Sequence, residues 1–242
     1  MTRKFCLVYF LILSFLSCKT VLVKNEVQQR TTQNVIIGTI GLDKNFIIES
    51  DYNSLAIPMY LNPVKLSARL IDFNKVSFKA FEKAVKLQSA NIAYDDTTET
   101  KSKYLKLEIS DRIEVLKSLN GQDNKDVFEL LKNKKESHVV TSIAIVFSQI
   151  QQQKISNAEE IFLEPIGVKS YSLNIYKDGL LQEKIKFNEG VVFSYQTSYS
   201  CWKQNDKYQL EIIDLVEGND KCPNGSFRSS NRAKKKINYY KF

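Results

Sequence analysis

His138 is the one histidine in a chain of 242 residues. No pair of imidazoles can therefore hold a metal, and no H-E-x-x-H motif exists. His138 follows Lys134, Lys135 and Glu136 and opens an apolar run, which predicts an exposed residue at the entrance to a strand. A triad with this histidine could assemble from residues distant in sequence, yet no G-x-S-x-G elbow nominates its serine. Neither a P-loop nor a dinucleotide fingerprint is present. Asp95-Asp96 and Glu159-Glu160 are the remaining pairs for acid–base work. Glycosidase carboxylates must flank a sugar at a defined separation, and adjacent residues in a strand or helix diverge, so each pair reads as a solvated turn or helix start. Calcium would need further oxygen ligands at spaced positions, and no such loop pattern is visible around Asp95-Asp96. No catalytic residue, metal ligand or cofactor is assigned.

The N-terminal residues carry a different kind of chemistry. Arg3 and Lys4 precede an apolar run from Phe5 to Phe15, which falls short of the roughly 20 residues of a membrane-spanning helix. That pattern is an export signal. Its end, Phe15-Leu16-Ser17-Cys18, resembles the lipobox of bacterial lipoproteins. The resemblance covers the leader alone and implies no activity. It implies removal of residues 1–17 as a signal peptide and an acyl chain such as palmitate on Cys18. It also implies a lipid-anchored place in the bacterial cell envelope, at the outer membrane or its periplasmic face. Residues 18–33 are polar and without apolar period, which suits a lipidated tether.

With Cys6 lost in the leader and Cys18 acylated, Cys201 and Cys222 remain as an even pair in an oxidising compartment. A disulfide is expected, and closing a loop of that length contributes roughly 3 kcal/mol in the chain-entropy model. A redox pair would more typically be spaced C-x-x-C, and zinc would need about four ligands.

The formal charge of +8 is unevenly placed. Residues 18–225 hold 27 bases against 27 acids, and residues 226–242 hold six bases and no acid. The body therefore has no bias toward polyanions. The tail is predicted to be solvated, with Arg228, Arg232, Lys234, Lys235 and Lys236 available to anionic lipid or an acidic partner, each worth about 1 kcal/mol at a charged membrane. Tyr239 and Tyr240 beside these bases could stack on nucleobases, but an exported chain rarely meets nucleic acid, and none is expected as a partner.

These residues must be positioned by the 34–225 segment. Phe78, Phe81 and Val85 fall at helical spacing, which predicts a helix over Ser77 to Ser89 with Asn74 as its cap. A second, short helix is expected around Val127, Leu130 and Leu131. Between them, Leu105, Leu107, Ile109, Ile113, Val115 and Leu119 alternate as in a strand, although Ser110 and Asp111 could instead cap a helix ending at Gly121. The strand, with an irregularity at Asp111, is the expectation. Val139 to Phe147 is apolar on both faces and rich in β-branched residues, the pattern of an interior strand. Tyr171 to Ile175 and Leu181 to Phe187 form a hairpin, expected to turn through Lys177-Asp178-Gly179 so that Ile175 pairs with Leu181 and Tyr171 with Ile185. Strands follow at Val191 to Tyr199 and Tyr208 to Val216.

The expected class is α+β: a single antiparallel, β-rich domain with one or two helices in its N-terminal half. The expected function is that of a lipid-anchored envelope protein that binds a protein, glycan or anionic lipid, or has a structural role there. The rival is an envelope hydrolase whose site is too scattered to show as a motif.

Overall fold

The computed structural model describes residues 20–23, 26–45, 50–88, 103–167 and 170–234. Its centre is β7 (His138–Val146), every residue of which is buried. A run of valine and isoleucine with no alternation to polar residues has no face to offer water, so it is covered on both sides and at both edges. One edge pairs with β11 (Val191–Gln204) and the other with β6 (Lys103–Ile109) and, at Val139 and His138, with β3 (Ile40–Asn45).

The sheet continues from β6 through β5 (Val64–Asp72), β8 (Glu160–Pro165), β9 (Tyr171–Lys177) and β10 (Leu180–Lys186). On the far side of β11 lie β2 (Glu26–Arg30), with β1 (Thr20–Val23) beyond it, and β12 (Leu210–Glu217). β4 (Ser50–Ala56) pairs with β3. All the described pairings are antiparallel.

Five α-helices are described. α1 (Lys75–Leu87) starts at Asn74, whose side chain accepts from Val76 and Ser77 N–H, while Ser77 Oγ accepts from Asn74 N–H in return. Its Phe81, Ala80 and Ala84 cover Tyr104, Ala144, Val146, Val191 and Phe193 on one face of the sheet. A larger core includes Leu107, Ile143, Ile145 and Leu173 with residues of α2 (Arg112–Asn120), α3 (Lys125–Asn133) and α4 (Gln149–Ser156). α5 (Ser230–Ala233) lies against β11. Helices are thus more numerous than the expected one or two, and α4 and α5 stand in the C-terminal half. α4 buries only Ile155, so it has almost no apolar stripe to read. Its one sequence signal is the Ser148–Gln151 capping box.

The expected long strand over Tyr104 to Leu119 is a strand followed by a helix. β6 ends at Ile109, and Asp111 caps α2 by accepting from Glu114 N–H at 3.0 Å. Val115 and Leu119 are buried at helical spacing, and Ile113, which the strand reading counts as apolar interior, is 65% exposed.

The β9–β10 turn has two residues, Asp178 and Gly179, both at positive φ (51° and 70°), the geometry of a tight hairpin. It is not the expected three-residue loop. Leu181 pairs with Tyr176, and an extra residue, Gln182, then shifts the register so that Glu183 faces Ile175 and Ile185 faces Leu173. The bulge brings Ile185 and Leu173 into the core, the purpose that the longer loop was expected to serve.

The expected tether over residues 18–33 is also revised. Arg30 and Gln29 pair with Ser194 and Tyr195 of β11, and Gln28 is fully buried, donating to Ser142 Oγ and accepting from Ser194 Oγ. The segment looks like a linker because its buried side chain is an amide whose partners are serines distant in sequence.

Three carboxamides close the strand and loop ends by pairing with both backbone groups of one residue. Asn120 pairs with Ile212, Asn124 with Met59 and Gln88 with Val192. Each stands in for a neighbouring strand, which leaves those backbone groups satisfied.

Candidate functional site

The hairpin β3–β4 pairs with β7 only through Ile40 and Gly41 and then crosses the sheet. Gly41 lets the Tyr52 ring lie against its backbone, because a Cβ there would be 2.4 Å from Tyr52 Cζ and 2.5 Å from the Asn53 carbonyl oxygen. Tyr52 packs edge-on to Tyr195 at 5.2 Å between centroids. Thr39 Oγ1 donates to Ile36 O at 2.7 Å, so the Tyr52 hydroxyl at 3.2 Å must donate to Thr39 Oγ1. Burial, reinforced by the Asp43 charge, drives the Tyr52 phenol far above its ordinary acidity range.

The crossing sets Asp43 beside strands that β3 does not pair with. Its Oδ2 accepts from Gln29 Nε2 at 2.7 Å and its Oδ1 from the Tyr195 hydroxyl at 2.7 Å. Gln29 Oε1 is also within 2.8 Å of that hydroxyl. With one phenolic proton to share, the bond to the charged oxygen is the stronger. His138 Nε2 lies 3.3 Å from Asp43 Oδ1. Burial pushes the Asp43 pKa up, but His138, Tyr195 and Gln29 together outweigh it and hold the carboxyl below its usual range.

His138 corrects the sequence expectation, being 1% exposed rather than open at a strand entrance. Tyr199 meets its ring edge-on at 5.4 Å, and Tyr52 lies 6.4 Å away. Neither ring nitrogen makes a hydrogen bond of good geometry. No serine or cysteine among the described residues is therefore hydrogen-bonded to His138 as a nucleophile to its base. The arrangement can hold a charge on Asp43 and fix the hairpin on the sheet. No three metal-ligating side chains converge among the described residues.

Cys201 and Cys222 form the expected disulfide, with Cα atoms 5.6 Å apart and within the usual range. Of the basic residues assigned to an anionic surface, Arg228 is engaged elsewhere. It donates to the carbonyls of Gly218 and Asp220 and lies 4.8 Å over the Tyr199 ring. Arg232 and Lys234 are exposed. Lys235, Lys236 and Cys18 lie outside the described residues, as do Asp95-Asp96. Glu159 accepts from Asp178 N–H, and Glu160 pairs with Lys65.

Sequence reasoning missed Asp43, Tyr52, Tyr195 and Gln29. They meet where β3 runs on past the start of β7, and Asp43 stands 95 residues from His138, so no spacing rule joins them. No helix among the described residues is long and apolar enough to cross a membrane. No protein-family model matches the chain, and no curated protein is significantly similar to it in sequence.

Proposed function

We propose that this chain is a lipid-anchored protein of the bacterial cell envelope, with a non-catalytic binding or structural role. The observation that carries the reading is the disposition of its cysteines. Cys18 ends an export-type leader, and Cys201 and Cys222 are joined, a state that persists in oxidising compartments. The first described strand starts two residues after Cys18, so an acyl chain there would hold the sheet close to the bilayer.

A hydrolase is the second reading, favoured by the Asp43–His138 pair. Against it stand the near-complete burial of His138 and the lack, among the described residues, of a nucleophile bonded to it.

Metabolic labelling with a palmitate analogue tests the proposal by comparing the wild-type chain with Cys18→Ser through membrane fractionation. The expected result is label and membrane retention that both vanish in the variant. An unlabelled, freely released wild-type chain would instead indicate an ordinary secreted domain.

A further inference from the structure

β7 begins at His138, opposite Tyr199, which leaves the continuation of β11 unpaired on that edge. The chain that follows the disulfide fills the gap. Trp202 N–H donates to Phe227 O at 2.7 Å, and Phe227 N–H donates back to Trp202 O at 2.9 Å. Both backbone groups of Trp202 thus point to Phe227, on the edge opposite β12, which pairs with the same stretch from the other side. Residues 222–234 therefore form a strap along β11, ending in α5.

Little apolar surface holds this strap. Its buried residues are Ser226, Ser230 and Ala233, none of them large, and Phe227 is 42% exposed. Ser230 Oγ donates to Lys132 O at 2.7 Å. Arg228 fastens the strap mainly to the turn that leads into it, through Gly218 and Asp220, and meets the sheet only at the Glu217 carbonyl that ends β12 and at the Tyr199 ring. The one covalent tie is Cys222 to Cys201, whose partner strand is fixed independently by β7 and β12.

We propose that the Cys201–Cys222 disulfide is a reducible latch on this C-terminal strap, and that reduction releases residues 222–234 from β11 while the sheet stays folded. Cys201 is fully buried and Cys222 only partly so, so an incoming thiolate attacks the Cys222 sulfur. Attack forms a mixed disulfide and expels Cys201 as a thiolate, which takes up a proton. The second thiol of the attacking dithiol then displaces Cys222. Two electrons and two protons pass from the dithiol to the cysteine pair, and the dithiol leaves as its own disulfide. Release uncovers the backbone edge of β11 at Trp202 and removes the Arg228 guanidinium from the Tyr199 face. This goes beyond the envelope reading and makes no use of Cys18, so a failure of lipidation leaves it standing.

Trp202 is the sole tryptophan and reports the strap directly. The full chain is titrated with dithiothreitol under native conditions. Thiol content, far-UV circular dichroism and acrylamide quenching of Trp202 are followed together. The expected result is that, as the pair is reduced, quenching rises several-fold and emission shifts to the red while the far-UV signal is kept. Cys222→Ser should reproduce the reduced state without reductant. Two outcomes overturn the proposal: Trp202 staying as shielded after full reduction, or the far-UV signal being lost along with the shielding, which would make the bond a support of the whole fold.

Discussion

The two ends of β7 are built on opposite terms. Toward Val146, Ala144 and Val146 lie under an aromatic cluster in which Phe193 meets Tyr104 at 5.0 Å, Phe73 at 5.6 Å and Phe81 at 6.0 Å. Toward His138, the strand meets a carboxylate, two tyrosine rings and an imidazole whose nitrogens find no well-formed hydrogen bond. The first end is held by apolar area, which scales with surface removed from water. The second is held by a few directional bonds converging on Asp43, and these depend on charge. The same strand is therefore expected to respond to pH at one end and not at the other.

The comparison breaks most visibly at Phe193. Phe193→Ala removes a fully buried ring and should cost ~3–5 kcal/mol, read as a lower urea midpoint by Trp202 fluorescence. That loss should be the same at neutral and mildly acidic pH. Asp43→Ala should cost less, about 2–3 kcal/mol at neutral pH, because it removes hydrogen bonds to a charged group.

The effect of acid on Asp43 has a definite sign. Its carboxyl is held below the ordinary range in the folded chain, so its contribution is full above the unfolded value. It is lost as pH falls through the lower, folded one. Wild type should shed this increment only in acid, and Asp43→Asn should flatten that part of the stability profile. An Asp43→Asn profile parallel to wild type would show that other carboxylates govern acid unfolding. The smallest of these effects is expected at Asn120, whose amide satisfies both backbone groups of Ile212. Asn120→Ala should cost about 1–2 kcal/mol and raise hydrogen exchange at the Ile212 amide, leaving the pH profile unchanged.

Legibility in the sequence follows the same division. β7 is readable because an unbroken β-branched run admits few other fates, and α1 because its apolar stripe and its Asn74 cap agree. The cysteine pair is readable by count, once Cys6 and Cys18 are set aside with the expected leader. The β6–α2 boundary is not, because Leu105 to Leu119 fits period 2 and helical spacing alike until burial decides, and only Asp111 marks the change. Gln28 and Gln29 read as tether because glutamine carries no sign of which serine, tyrosine or carboxylate will meet it. Arg228 reads as a free base because its acceptors are backbone carbonyls, which composition does not display. Local pattern therefore reveals the end of β7 built on apolar area and hides the end built on long-range polar contacts.

The proposed envelope location turns first on the sulfur of Cys18. The most direct measurement is mass spectrometry of the N-terminal peptide from the chain extracted from bacterial membranes with detergent. The account predicts a peptide that begins at Cys18 and carries acyl mass on that residue. A peptide beginning elsewhere, or one beginning at an unmodified Cys18, would contradict the lipid anchor.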